Sequence, residues 1–119
     1  MQIEMLKSKI HRATVTQANM DYEGSVTIDR ELMIAARIWE NQKVHIWNIT
    51  NGSRIVTYAI PGEPSTGVIG INGAGVHQNS VGDLVIIASY GLYNLDEAKE
   101  HKPKVLLIKD TKNMVVAWE

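Results

Sequence analysis

Residues 43–60 read KVHIWNITNGSRIVTYAI, two runs rich in β-branched and aromatic side chains on either side of Asn51-Gly52. Runs of this composition and alternation have the period of half-buried strands. An Asn-Gly pair supplies the positive φ angles that a tight type I′ turn needs. The stretch therefore predicts a β-hairpin with strands over 43–50 and 53–60. Outward from it, the same patterning recurs at 7–16, 25–28, 68–71, 83–90, 104–108 and 114–118, while PGEPSTG at 61–67 reads as a loop dense in breakers. Asp29 is placed to cap a short helix over 30–37, in which Leu32, Ala35 and Ala36 follow at helical spacing, and Asn94 is placed to cap a second over 96–100. Many short strands with two short helices predict a mostly β, small closed barrel, since closure removes exposed edges.

At 119 residues the chain fits a single domain, 1–119, with room for a real core. Twelve basic side chains against thirteen acidic ones give a net charge of -1, which lacks the electrostatic footprint of a dedicated nucleic-acid binder. The absence of cysteine rules out disulfides, a thiolate nucleophile and a zinc site built on sulfur, and makes the cytoplasm the default compartment. Glu4, Lys7, Lys9 and Arg12 interrupt the N-terminal stretch, so no signal peptide or membrane span is expected there. His11, His45, His77 and His101 show no metal spacing and no clustered acidic partners, and no metal is expected.

The pair Gly24-Ser25, at the entrance to the strand over 25–28, is by itself an ordinary turn dipeptide. Its neighbours give it a second reading. KIHRATVT at 9–16, YEGS at 22–25, IWNITNGSR at 46–54, TYAI at 57–60, NGAG at 72–75 and VGDLVIIASY at 81–90 together resemble, colinearly, the pyruvoyl-dependent aspartate 1-decarboxylases. The resemblance implies a six-stranded double-psi β-barrel with short helices, assembled as a homotetramer with sites at subunit interfaces. It also implies self-cleavage into 1–24 and 25–119, with Ser25 converted to a covalent pyruvoyl group. That group would form a Schiff base with L-aspartate, and β-alanine and CO2 would be the products, feeding pantothenate and coenzyme A synthesis. A helper protein for maturation is a further expected partner. The rival from another class is an uncleaved, non-catalytic double-psi barrel serving as a binding or adaptor module.

The residue types suit this chemistry. A hydroxyl held against the preceding carbonyl gains effective concentration worth about 7 to 11 kcal/mol of barrier, and Ser25 is that hydroxyl. Gly24 is expected to let the backbone enter a conformation that a Cβ would forbid. The resemblance assigns Thr57 to the environment of the cleaved bond and to substrate binding, as donor to the oxyanion. Arg54 offers a planar fork matched to the carboxylate that remains. Tyr58, a phenol protonated at neutral pH, can deliver a proton to the carbanion. On a regular strand Arg54 and Tyr58 share one face and Thr57 takes the other, so that all three act together only if the strand bulges or two subunits share the site. The shared site is the expectation. Without Gly24-Ser25, Arg54 would read as a solvated residue after a turn and Tyr58 as a half-buried strand aromatic.

Lys9 and His11 share a strand face, and the resemblance places both near the pocket, Lys9 toward a carboxylate; for His11 an exposed strand position fits equally. Tyr22 is expected to flank the cleaved bond as a pocket residue, a position that packing alone would also explain. Asn72, Gly73, Ala74 and Gly75 are implied to contact substrate largely through backbone, with Asn72 either bonding the adduct or capping the next turn. Gly75 and Val76 stand where the family usually has small alanine-like residues, and the added freedom of Gly75 bears on the rigidity of this loop. Trp39, Trp47 and Trp118 read as core or interface anchors.

Overall fold

The computed structural model describes residues 1–118. The chain runs β1 (Gln2–Thr14), β2 (Gln17–Asn19), β3 (Ser25–Asp29), α1 (Arg30–Ala36), β4 (Lys43–Asn48), β5 (Arg54–Gly62), β6 (Ile69–Asn72), a 3₁₀ turn (Gly73–His77), β7 (Leu84–Asn94), α2 (Leu95–Glu100), β8 (Lys104–Ile108) and β9 (Val116–Trp118). Hydrogen bonding links the nine strands in the linear order β2-β6-β3-β5-β4-β7-β1-β8-β9. The pairs β1–β8, β2–β6 and β3–β5 are parallel, and the other pairs are antiparallel. No described helix is long and apolar enough to cross a membrane.

The hairpin over 43–60 forms, with Trp47 opposite Arg54 and Lys43 opposite Tyr58 in unbroken register. Its turn differs from the expected type I′. Only Gly52 adopts a positive φ (80°), and Asn51 does not. Residues 49–52 make a longer loop, closed by the Gly52 N–H on the Asn48 carbonyl (2.8 Å) and by the Asn51 N–H on Asn48 Oδ1 (3.0 Å). The side chain of Asn48 thus does locally what a second left-handed residue would do in the tighter turn. Asn51 Nδ2 (2.7 Å) and Ser53 Oγ (3.2 Å) then reach across to the Gln78 carbonyl, tying this loop to the segment after the 3₁₀ turn.

The side chains that β1, β7 and β4 send inward, Ile10, Ile87 and Ile46, are essentially fully buried, as are Val26 and Ile28 of β3 and Ile69 and Ile71 of β6. Helix α1 adds Leu32, Met33 and Ala36 to this core. It begins where expected because Asp29 caps it: Oδ1 accepts from the Glu31 N–H (2.8 Å). The same buried carboxylate accepts from Ser65 N–H (3.1 Å) and Gly67 N–H (2.8 Å), so it also clamps the 63–67 loop beside β3. Asn94 caps α2 in a reciprocal box with Glu97.

Several boundaries shift. β1 begins at Gln2, β5 runs to Gly62, and β7 runs to Asn94, past the expected end at Tyr90. β2 is an added strand, and β9 starts at Val116. Trp39 and Trp118 are mostly exposed, so neither is a core anchor within one chain.

Candidate active site

β3 joins β5 only from the Val26–Ala59 pair onward. Residues 54–58 of β5 therefore have β4 on one edge and no strand on the other. A cavity of about 540 Å³ opens along this free edge. Gly24, Ser25, Asn72, Ala74, Gly75, His77 and Gln78 line it together with β5. Residues of both parities on β5 line it, Ile55 and Thr57 as well as Val56 and Tyr58. Thr57 and Tyr58 thus border one cavity without any bulge in the strand.

Ser25 is 4 % exposed. Its Oγ–H donates to the Glu23 carbonyl (3.2 Å), and its oxygen accepts from Asn72 Nδ2 (3.0 Å). Asn72 stands opposite Ser25 in the β3–β6 register, and its Nδ2 also donates to Thr27 Oγ1 (3.0 Å). The amide is committed to these two hydroxyls and makes no capping bond to the turn that follows. Of its two expected roles, capping is excluded.

Glycines shape the approach to Ser25, though not as expected for Gly24. That residue is outside the left-handed region, and a Cβ built on it would meet nothing within 4 Å. The conformation does not require glycine there, and a side chain would have room. The demanding position is Gly73, with φ of 74° and a virtual Cβ only 2.8 Å from both N and Cα of Gly24 and 3.0 Å from the Tyr22 carbonyl. What comes close to this glycine is the chain's own 22–24 segment. Gly75 is held more firmly than its composition implies: its carbonyl accepts from Gln78 N–H and Asn79 Nδ2 (both 3.1 Å). A Cβ there would press on Ile55 Cδ1 at 2.9 Å, so glycine matches the isoleucine across the cavity.

The remaining candidates lie apart. His11, Ile86, Trp47 and Arg54 form one row across β1, β7, β4 and β5, and Lys9, Ala88, His45 and Val56 form the next. Lys9, His11, Arg54 and Tyr58 accordingly share one sheet face. Only Tyr58 of these four also lines the cavity. The Arg54 guanidinium stacks over the Trp47 ring, 4.9 Å from its centroid. Tyr22 is exposed and does not line the cavity. Among the described residues, no group of three or more His, Asp or Glu side chains is placed to hold a metal. A second cavity, of about 480 Å³, lies against α1 and is lined by Arg30, Met33, Ile34, Arg37 and Trp39, with none of the candidates on it.

Sequence reasoning missed Thr27, the Glu23 carbonyl, Ile55, His77 and Gln78. Thr27 is two residues from Ser25 on the same strand, a spacing that puts both on one face; that was the available signal.

A profile of the aspartate decarboxylase family matches residues 1–116. The chain belongs to the aspartate decarboxylase family. It is similar to the aspartate 1-decarboxylase of Myxococcus xanthus, with 57 % identity over 94 % of this chain and 85 % of the relative. Against the aspartate 1-decarboxylase of Caldicellulosiruptor saccharolyticus identity is 54 %, over 97 % of this chain and 90 % of the relative. For that of Listeria monocytogenes serotype 4a it is 52 %, over 93 % and 87 %. Each stretch of sequence that carried the resemblance falls inside the span matched to the aspartate decarboxylase family.

Proposed function

We propose that this chain is an aspartate 1-decarboxylase that releases CO2 from L-aspartate to give β-alanine, and that it activates itself by breaking its Gly24-Ser25 bond. The observation that carries the reading is the setting of Ser25: a hydroxyl 4 % exposed, held between the Asn72 amide and the Glu23 carbonyl, beside the cavity that Thr57 and Tyr58 line. Burial and fixed hydrogen bonds limit the rotamers of this hydroxyl, which is what an intramolecular attack needs.

In the proposed activation Ser25 Oγ attacks the Gly24 carbonyl carbon. The new C–O bond replaces the C–N bond, and the hydroxyl proton ends on the Ser25 nitrogen. Thr57, on the cavity wall, is assigned the donor to the oxyanion formed on the way. Loss of the Ser25 α-proton then expels the ester as the carboxylate of residue 24. The dehydroalanine left at residue 25 takes up water and releases ammonia, which leaves a pyruvoyl group. That group supplies an electron-accepting carbonyl, so no external cofactor is required. The ketone oxygen enters from water at the residue 25 Cα, and the cavity that residue 25 lines leaves room for a small amino acid to reach it.

In substrate turnover, Tyr58 is assigned proton delivery from the cavity wall, and Arg54 the clamp on the second carboxylate. Lys9 lies three strands from Arg54, which at about 4.8 Å per strand is ~14 Å. Lys9 does not line the cavity beside Ser25, and its proposed role is at a site completed by another copy. The sheet face that carries Lys9, Trp47, Arg54 and Tyr58 supports this sharing and, with it, a homotetramer. The parallel β1–β8, β2–β6 and β3–β5 pairs set among antiparallel neighbours support assigning the interleaved core to a six-stranded double-psi barrel.

Intact mass of the purified chain tests the reading. The expected result is two fragments, residues 1–24 and 25–119, the larger one reactive toward a carbonyl reagent, with β-alanine formed from aspartate. Cleavage of the chain purified alone would dispense with a helper protein. A Ser25→Ala variant that still splits between 24 and 25, or an intact parent chain that forms β-alanine, would overturn it.

A further inference from the structure

We infer that Thr27 is a positioning residue for self-cleavage: its hydroxyl takes the second N–H of the Asn72 amide and so holds the first on Ser25 Oγ. The inference rests on the cleavage proposed above and adds a residue to it.

The two ends of a carboxamide are nearly alike in shape and opposite in hydrogen bonding, one offering two N–H donors and the other only lone pairs. Rotation about its last torsion is soft and roughly two-fold, so packing alone does not choose between them. Ser25 chooses here, and Thr27 holds the choice in place. Ser25 Oγ spends its one proton on the Glu23 carbonyl (3.2 Å) and so can only accept from Asn72 (3.0 Å). Thr27 Oγ1 accepts the second N–H of the same Nδ2 (3.0 Å). With both protons engaged, the amide is pinned in the orientation that serves Ser25.

Thr27 is itself held. Its Cγ2 lies 2.8 Å from where a Cβ of Gly62 would be, and its Cβ lies 3.4 Å from that of Gly70. The two glycines admit the branched side chain, and a β-branched residue confined on a strand keeps one χ1 setting. The methyl is packed outward against Gly62, and the hydroxyl is thereby aimed at Asn72.

During the shift, Oγ gives up its proton and bonds to the Gly24 carbon, while the proton reaches the departing Ser25 nitrogen. An Asn72 N–H on Oγ keeps that oxygen in place while it changes partners. A reversed amide would instead set Oδ1 against Oγ, turning the hydroxyl proton from the Glu23 carbonyl toward Asn72 and leaving the oxygen without its N–H donor. Misplacing a nucleophile by a fraction of an ångström to an ångström costs on the order of 10- to 100-fold in rate.

The test follows cleavage of newly made precursor by intact mass for the parent, Thr27→Val and Thr27→Ser, with a thermal melt of each. Thr27→Val keeps the shape and loses the hydroxyl, and should cleave roughly 10- to 100-fold more slowly, a loss larger than its small drop in melting temperature explains. Thr27→Ser keeps the hydroxyl and should cleave at close to the parental rate. A parental rate in Thr27→Val, or equal slowing in both variants, would overturn the inference. A parent that never cleaves would instead reject the proposed function. The inference then stands or falls on the exchange of the Asn72 side-chain N–H protons, followed by NMR with 15N-labelled asparagine in the uncleavable Ser25→Ala background. Thr27→Val should speed that exchange and Thr27→Ser should not; identical exchange in all three chains would reject it.

Discussion

The Cβ that Gly73 lacks would lie 2.8 Å from both the nitrogen and the Cα of Gly24. Two backbones forty-nine residues apart in sequence therefore touch at the proposed cleavage point. Gly73→Ala should be hit twice. Its φ of 74° costs an L-residue about 1–2 kcal/mol, and its methyl would displace the 22–24 segment, because the obstructing atoms are backbone. The expected outcome is a lower melting temperature together with cleavage slowed well beyond what the lost stability explains, read by calorimetry and an intact-mass time course. Parental cleavage in this variant would mean that the 22–24 segment moves freely before it reacts.

Thr57→Val, similar in shape but without the hydroxyl, should slow cleavage by about 10² to 10³ if Thr57 stabilises the oxyanion. A gel time course reads this directly. Normal processing would reassign the donor to a backbone amide on the free edge of β5.

Tyr58→Phe should cleave as the parent does, because the phenol has no part in breaking the peptide bond. Fully cleaved Tyr58→Phe should then form β-alanine more slowly by about 10² to 10⁴, the usual worth of a positioned proton donor. Unimpaired turnover would remove Tyr58 from that role.

Arg54→Lys separates maturation from turnover in another way. The precursor holds no carboxylate for Arg54 to clamp, so both fragments should appear at the parental rate. A lysine keeps the charge, but it loses the planar fork and the stacking over Trp47 that holds the fork still. kcat/KM for aspartate should fall and should not be restored at saturating substrate; a rise in KM alone would show that only charge matters.

Features governed by neighbouring residues were legible in the sequence. Asp29 and Asn94 cap the two helices as read, because a cap acts within three residues of itself. The hairpin over 43–60 was legible from alternation, but its turn was not: whether Asn51 takes a positive φ is settled by Asn48, whose side chain captures the Asn51 amide. The site was legible as residue types around Gly24-Ser25 and not as an arrangement. That Asn72 faces Ser25 follows from the β3–β6 register, and that Thr57 and Tyr58 both reach one cavity follows from where β3 stops pairing with β5. Neither register is written in any local pattern. The length of β1 was missed because Gln2, Ile3 and Glu4 offer no apolar face of their own; long β7 runs alongside and pairs with them.

The proposed cut falls at the first residue of β3, so within the strands it costs only the Ser25 nitrogen, which leaves as ammonia. Val26, Thr27 and Ile28 remain paired to β6, and the 1–24 piece keeps β1, which is paired to β7 from Gln2 to Thr14 and to β8 along Ser8–His11. What had been one chain becomes two, woven together without a covalent link. Before the cut, recovery from denaturant is a unimolecular search; afterwards two polypeptides must find each other, so recovery becomes second order and dependent on dilution. The mature molecule would then owe its persistence to a slow unfolding rate more than to reversible stability.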